Sequence, residues 1–142
     1  MNNYKYYEND FELAVLEIFA NNDWIYQCGY EIHRTNEEII LKEDFVSYIE
    51  KRYGVLSEKE IHQLISYITS YSNQSLYRSM KETYKRLVNG KVIKMDDGTD
   101  KFIEFFDLLS NNNVFKVVNQ FEFSEYKNRR PDIVLFVNGI PI

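Results

Sequence analysis

The stretch "RRPDIVLFVNGIPI", residues 129–142, decides the fold. An arginine pair and a Pro-Asp lead into an apolar run, then Asn138-Gly139, then three more residues. Asn-Gly between two apolar runs predicts a two-residue hairpin turn, because both central residues must take positive φ. In that register Val137 faces Ile140, and Asp132 falls opposite a position three residues past Ile142. Pro141 has no N–H for the ladder, so it either keeps this register or adds a bulge that shifts it by one. The strand partner of Asp132 is thus expected to lie outside these residues, and whatever Asp132 does with a neighbour across the hairpin is expected to be incomplete in them.

Upstream the same period of two continues. "KVIKM", a "DDGT" turn, "KFIEFFDL", an Asn-rich turn at 111–113 and "VFKVVNQFEF" read as strands and turns, with "SEYKNRR" as a polar loop before "DIVLFV". Before Gly90 the period is helical. "LKEDFVSYIEKRYG" ends at a Gly54 stop, "SEKEIHQLISYITSY" opens on a Ser57–Glu60 capping box, and "SLYRSMKETYKRLVNG" runs Leu76, Met80, Tyr84 and Leu87 along one face. "WIYQCGYEIHRT" has room for a short strand. "ENDFELAVLEIFANN" reads as the first helix, opening at Asn9 with Glu12 as its capping-box partner. At 100° per residue Phe11, Leu13, Val15, Leu16 and Phe19 share a broad arc with Glu12 inside it, while Glu17 points the other way. The expected class is α+β: helical over 9–90, strand-rich over 91–142, with a mixed sheet flanked by helices.

An inward carboxylate such as Glu12 is costly unless something hydrogen-bonds to it or a cation meets it. Two readings stand for it: a first-turn residue satisfied by backbone N–H groups, or a metal ligand. Asp107, after the aromatic run, reads equally as a turn residue or an acid of a site. The stripe of Phe102, Phe105 and Phe106 reads as core before it reads as a base-stacking platform. His33 and His62 lack partners at ligand spacing, which argues against zinc, and Cys28 reads as a packing residue.

The 142 residues are 44% hydrophobic and 27% charged, the make-up of one globular domain burying about 68–70% of its unfolded surface. One cysteine excludes an internal disulfide framework, and "MNNYKYYEND" lacks the layout of a secretion signal. A cytoplasmic setting is the expectation. No apolar run approaches the roughly 18 residues of a membrane span, so no membrane role is expected. A net charge of −5 argues against a free-standing domain that coats nucleic acid, though metal ions or another domain would let an acidic chain cut DNA.

"VFKVVNQFEF" followed by "RRPDIVLFVNGIPI" closely resembles the N-terminal nuclease domain of the endonuclease and motor (R) subunit of type I restriction enzymes, a PD-(D/E)xK fold whose pattern runs N-x-F-x-V-x-N-Q-F and then R-P-D-I-V-L-F-V-N-G-x-P. The resemblance is dense over 113–142 and thin before it. It implies that Asp132 binds Mg²⁺, that an E-x-K follows the hairpin near positions 146 and 148, and that ATP-dependent motor domains follow in turn, so that this chain looks like the N-terminal fragment of a longer protein and alone is expected not to cut DNA. Partners implied are DNA and the modification and specificity subunits of a restriction complex. Hydrolysis of a phosphodiester needs extra charge stabilised and a water made nucleophilic, which Mg²⁺ held by hard oxygen ligands achieves. Asp132, Glu12 and the expected Glu would share the ion. Lys127, Arg129 and Arg130, just before Asp132, are placed to hold the DNA backbone or simply to solvate a loop, and Gln120 lies at a strand position the family also uses. A different PD-(D/E)xK nuclease or repair protein, or a docking domain that kept the fold without catalysis, are the competing readings.

Overall fold

The computed structural model describes residues 3–70, 76–124, 128–129 and 131–142. Its helices are α1 (Asn3–Asn21), α2 (Lys42–Tyr53), α3 (Glu58–Thr69) and α4 (Leu76–Asn89), and its strands are β1 (Ile25–Cys28), β2 (Lys91–Lys94), β3 (Asp100–Ile103), β4 (Phe115–Asn119), β5 (Phe123–Ser124), β6 (Asn128–Arg129), β7 (Ile133–Val137) and β8 (Ile140–Pro141). They form two compact units, residues 1–45 with 114–142 and residues 46–113. The class is α+β with a mixed sheet, as expected, although β1 is a strand within the otherwise helical first ninety residues.

In the first unit a four-stranded sheet runs β1-β4-β7-β8. β1 lies parallel to β4, and β4, β7 and β8 follow antiparallel to one another. The predicted turn forms: Asn138 and Gly139 have φ of 53° and 79°, Val137 pairs with Ile140 and Phe136 with Pro141, and Ile142 N–H donates to the Leu135 carbonyl. Pro141 keeps the unshifted register. The turn is also a socket. Asn138 is fully buried, its side-chain oxygen accepting from Val114 N–H at 2.8 Å, and the Gly139 carbonyl accepts from Leu41 N–H at 2.9 Å. A Cβ on Gly139 would stand 2.5 Å from the Leu41 carbonyl oxygen, so the start of α2 docks against the hairpin only because this residue is glycine. Leu41, Val118, Phe121 and Phe136 form a buried cluster on one face of the sheet, joined by Ile32, Phe123 and Val134.

α1 begins at Asn3 rather than Asn9, so Asn9 and Glu12 lie within the helix and the Asn9–Glu12 capping box does not form. The six residues ahead of Asn9 contain no Gly or Pro, so nothing stops the helix from starting earlier. The expected arc is narrower than the sequence suggested: Phe11 and Leu13 are exposed, and Glu12, Val15, Leu16 and Phe19 form the inward stripe. That spacing is one helical face. The stripe ends in an aromatic chain, Phe19 against Trp24 and Trp24 against Phe115 of β4, each pair 5.1 Å apart, which sets α1 beside the sheet.

In the second unit, α3 carries the capping box expected at Ser57 and Glu60. The Glu60 carboxylate accepts from Ser57 N–H and also from Asp96 N–H in the β2–β3 turn. Those amides, Ser57 first, hold its carboxyl below the usual range. Gln63 pairs its side-chain amide with the backbone of Lys94, tying the same helix to β2. Ser57→Ala is expected to lower stability by about 1 kcal/mol, read as a reduced urea midpoint with an unchanged slope. The expected face of α4 is corrected: Met80 and Tyr84 are exposed. Leu87 turns inward as expected, but beside Thr83 and Arg86, and the Arg86 guanidinium lies 5.5 Å over the Tyr67 ring. A long arginine stem packing on an aromatic ring competes with apolar residues for that side. Phe105 is core as expected and stacks on Tyr67, but Phe102 is half-exposed.

Candidate functional site

The site grows from the end of β4. Asn119 and Ile133 are the last paired residues of β4 and β7, and beyond them Gln120 takes a left-handed φ of 53° while Asp132 stands at the head of β7. Glu12, one turn before Leu16 on the inward stripe of α1, reaches this corner. Its Oε1 accepts from the Asn119 side-chain amide at 3.2 Å and from the Gln120 side-chain amide at 3.3 Å. Tyr26 of β1 donates its hydroxyl to Asn119 Oδ1 at 3.0 Å. Desolvation, with the nearby Cys28 next, raises the Tyr26 pKa above its ordinary value, so the phenol remains a donor at neutral pH. Gly29 closes the corner: a Cβ there would lie 2.4 Å from the Gln120 carbonyl oxygen.

Asp132 is exposed, and among the described residues its carboxylate makes no hydrogen bond or ion pair. Asp132 and Glu12 therefore belong to the same end of the sheet, one at the head of β7 and the other bound to the end of β4. Among the described residues no group of three or more His, Cys, Asp or Glu side chains gathers in a way that would hold a metal. These two acids are at most part of a donor set. Gln120 is turned toward Glu12. Lys127 and Arg130 lie outside the described residues, and Arg129 is described only through its backbone, which pairs with Phe123 in a short β5–β6 ladder within the expected polar loop.

The remaining candidates settle into structural roles. Glu17 is exposed on the far side of α1. Asp107 is buried in a turn, where the N–H groups of Ser110, Leu109 and Asn112 converge on its carboxylate and, Ser110 first, hold its pKa below the usual range. His62 pairs with Ser66 on the next turn of α3. Asn119, Tyr26 and Gly29 were not singled out from the sequence; the signals for Asn119 were its place in the N-Q-F of the family pattern and the polar Asn-Gln pair it forms at the end of β4.

A cleft of about 540 Å³ in the first unit is lined in part by Gln27, His33, Arg34, Asp44 and Lys116. Its cations are engaged. Lys116 pairs with Asp44 at 2.6 Å and donates to Gln27 at 2.8 Å. Arg34 lies 3.6 Å over the Phe121 ring and donates to the carbonyls of Thr35, Glu38 and Glu122, which ties the 34–38 loop to the residues after β4.

Residues 5–142 match the family described as the type I restriction enzyme R protein N terminus. Among curated proteins, a Methanocaldococcus jannaschii protein named "Putative type I restriction enzyme MjaIXP endonuclease subunit" is 30% identical over 145 residues, 92% of this chain. The type I restriction enzyme HindI endonuclease subunit of Haemophilus influenzae is 26% identical over 149 residues, 95% of the chain. The SauMSSORF170P endonuclease subunit of Staphylococcus aureus is 25% identical over 124 residues, 82% of the chain. The chain spans 14% of the length of the first two relatives and 12% of the third.

Proposed function

The chain belongs to the family of type I restriction enzyme R protein N termini, and on that premise we propose that it contributes a Mg²⁺-dependent DNA-hydrolysing site to an ATP-dependent restriction complex. One observation carries the reading: Asp132, whose carboxylate makes no hydrogen bond or ion pair among the described residues, stands at the sheet end where Glu12 is held. The antiparallel run β4-β7-β8 beside α1 is compatible with a restriction-endonuclease-like core, in which the acid at the head of the second strand serves the metal. The donor chemistry fits Mg²⁺, which takes hard oxygen ligands and keeps several waters, so two carboxylates are a partial set that a further acid would complete.

When bound, the ion supplies charge neutralisation at the phosphate and an acidified water. The chain's own residues hold it and the substrate. Asp132 and Glu12 provide anionic oxygens, Asn119 and Gln120 fix Glu12, and Lys127, Arg129 and Arg130 contact the DNA backbone ahead of Asp132. ATP is used by motor domains in the parent protein, DNA is the substrate, and the modification and specificity subunits complete the assembly in the cytoplasm. Among the described residues no helix is long and apolar enough to cross a membrane.

Glu12→Gln in the full-length subunit, assembled with its partners, is the test. Cleavage is expected to fall about 10- to 100-fold, with a raised Mg²⁺ requirement and unchanged ATP hydrolysis. Cleavage and Mg²⁺ requirement both at the parental level would leave Glu12 as a helix-to-sheet tie.

A further inference from the structure

We propose that Asn119 is a positioning residue for Glu12, oriented by Tyr26, and that the corner made by Tyr26, Gly29, Asn119 and Gln120 holds the Glu12 carboxylate aimed for a cation. The inference rests on the reading of Glu12 as a metal ligand. Three features of the corner carry it. Both amides land on one oxygen, Oε1, so Oε2 is left to a second partner. Both donors are neutral, and no described lysine or arginine forms an ion pair with Glu12. An ammonium or guanidinium would hold the helix to the sheet more strongly, but it would cancel the charge a metal needs. Neutral amides fix the carboxylate and leave its charge intact.

The third feature is the order in which the amides are themselves fixed. A carboxylate only accepts hydrogen bonds, so Asn119 serves Glu12 only with Nδ2 turned toward it, and its Oδ1 then needs a donor of its own. The Tyr26 hydroxyl occupies Oδ1, which obliges Nδ2 to face Glu12. Gln120 reaches the same oxygen from a left-handed backbone, a conformation uncommon outside glycine and held here against Gly29. A simple helix-to-sheet tie would need neither the hydroxyl nor the left-handed residue.

The experiment uses the full-length subunit and Ca²⁺ as a non-hydrolysing probe, with binding read by calorimetry and the Mg²⁺ half-saturation of cleavage read in the assembled complex. Asn119→Leu, which keeps the shape and removes the amide, is expected to weaken Ca²⁺ binding about tenfold and raise the Mg²⁺ half-saturation similarly, with cleavage recovering at high Mg²⁺. Added to Glu12→Gln, it is expected to have no further effect, the mark of one residue acting through another. Tyr26→Phe, a milder change should Asn119→Leu fail to fold, is expected to shift both constants about threefold in the same direction. Reduced cleavage or a lowered unfolding temperature with Ca²⁺ affinity unmoved in both variants would overturn the proposal, as would full additivity with Glu12→Gln. Ca²⁺ affinity unaltered by Glu12→Gln itself would remove the underlying reading and this inference together, which separates that failure from a failure of Asn119 alone.

Discussion

Asp132→Ala in the full-length subunit, assembled with its partners, is expected to lower DNA cleavage by at least roughly 10³-fold, equivalent to about 4 kcal/mol of lost transition-state stabilisation. ATP hydrolysis and movement along DNA are expected to stay near normal. The asymmetry follows from where the residue sits. Its carboxylate is exposed and makes no hydrogen bond or ion pair among the described residues, so removing it leaves none of their buried groups unpaired. The substitution should therefore be nearly silent in thermal unfolding while being severe in cleavage. An ATPase activity that falls in step with cleavage would mean that Asp132 supports docking of this domain, and the metal role would lose its support.

Phe136→Ala is expected to show the reverse profile, a loss of about 3–5 kcal/mol in stability. Phe136 is fully buried in β7, meets Phe121 edge-on at 5.2 Å and shares its cluster with Leu41 and Val118. Those neighbours come from two other parts of the chain, the start of α2 and the end of β4, so the space left by the ring is walled on more than one side and cannot close by one side chain moving. Urea unfolding of the 142-residue chain checks it. A loss under about 1 kcal/mol would show that the cluster collapses into the gap and is less rigid than its burial implies.

How much of this was legible in the sequence depended on how local the signal was. Asn138-Gly139 needs only its own two φ angles to declare a turn, and the Ser57–Glu60 box needs only four residues, so both were read correctly. Glu12 was read as inward from its position among Val15, Leu16 and Phe19, and it is inward. The start of α1 was misplaced because Asn9 and Glu12 have cap spacing wherever they occur, and nothing local says that the helix already began at Asn3. Met80 and Tyr84 were misassigned because the inward side of α4 is settled by Tyr67 and Arg86, from two different helices. The partners of Glu12 were out of reach for the same reason: Asn119 and Gln120 lie more than a hundred residues away, brought there by the pairing of β1 with β4.

That pairing sets a schedule for the nascent protein. Ile25 in β1 aligns with Lys116 in β4, 91 residues later, and the whole of the second unit is made in between. At roughly 5–20 residues per second, a ribosome leaves β1 without its neighbour for about 5–18 seconds. During that interval residues 46–113, a contiguous segment with its own helices and hairpin, are free to condense first. β1 is suited to the wait. It is only four residues long, and two of them, Ile25 and Tyr26, remain about half exposed even in the finished fold, so the unpaired strand offers little to a neighbouring chain on the same message.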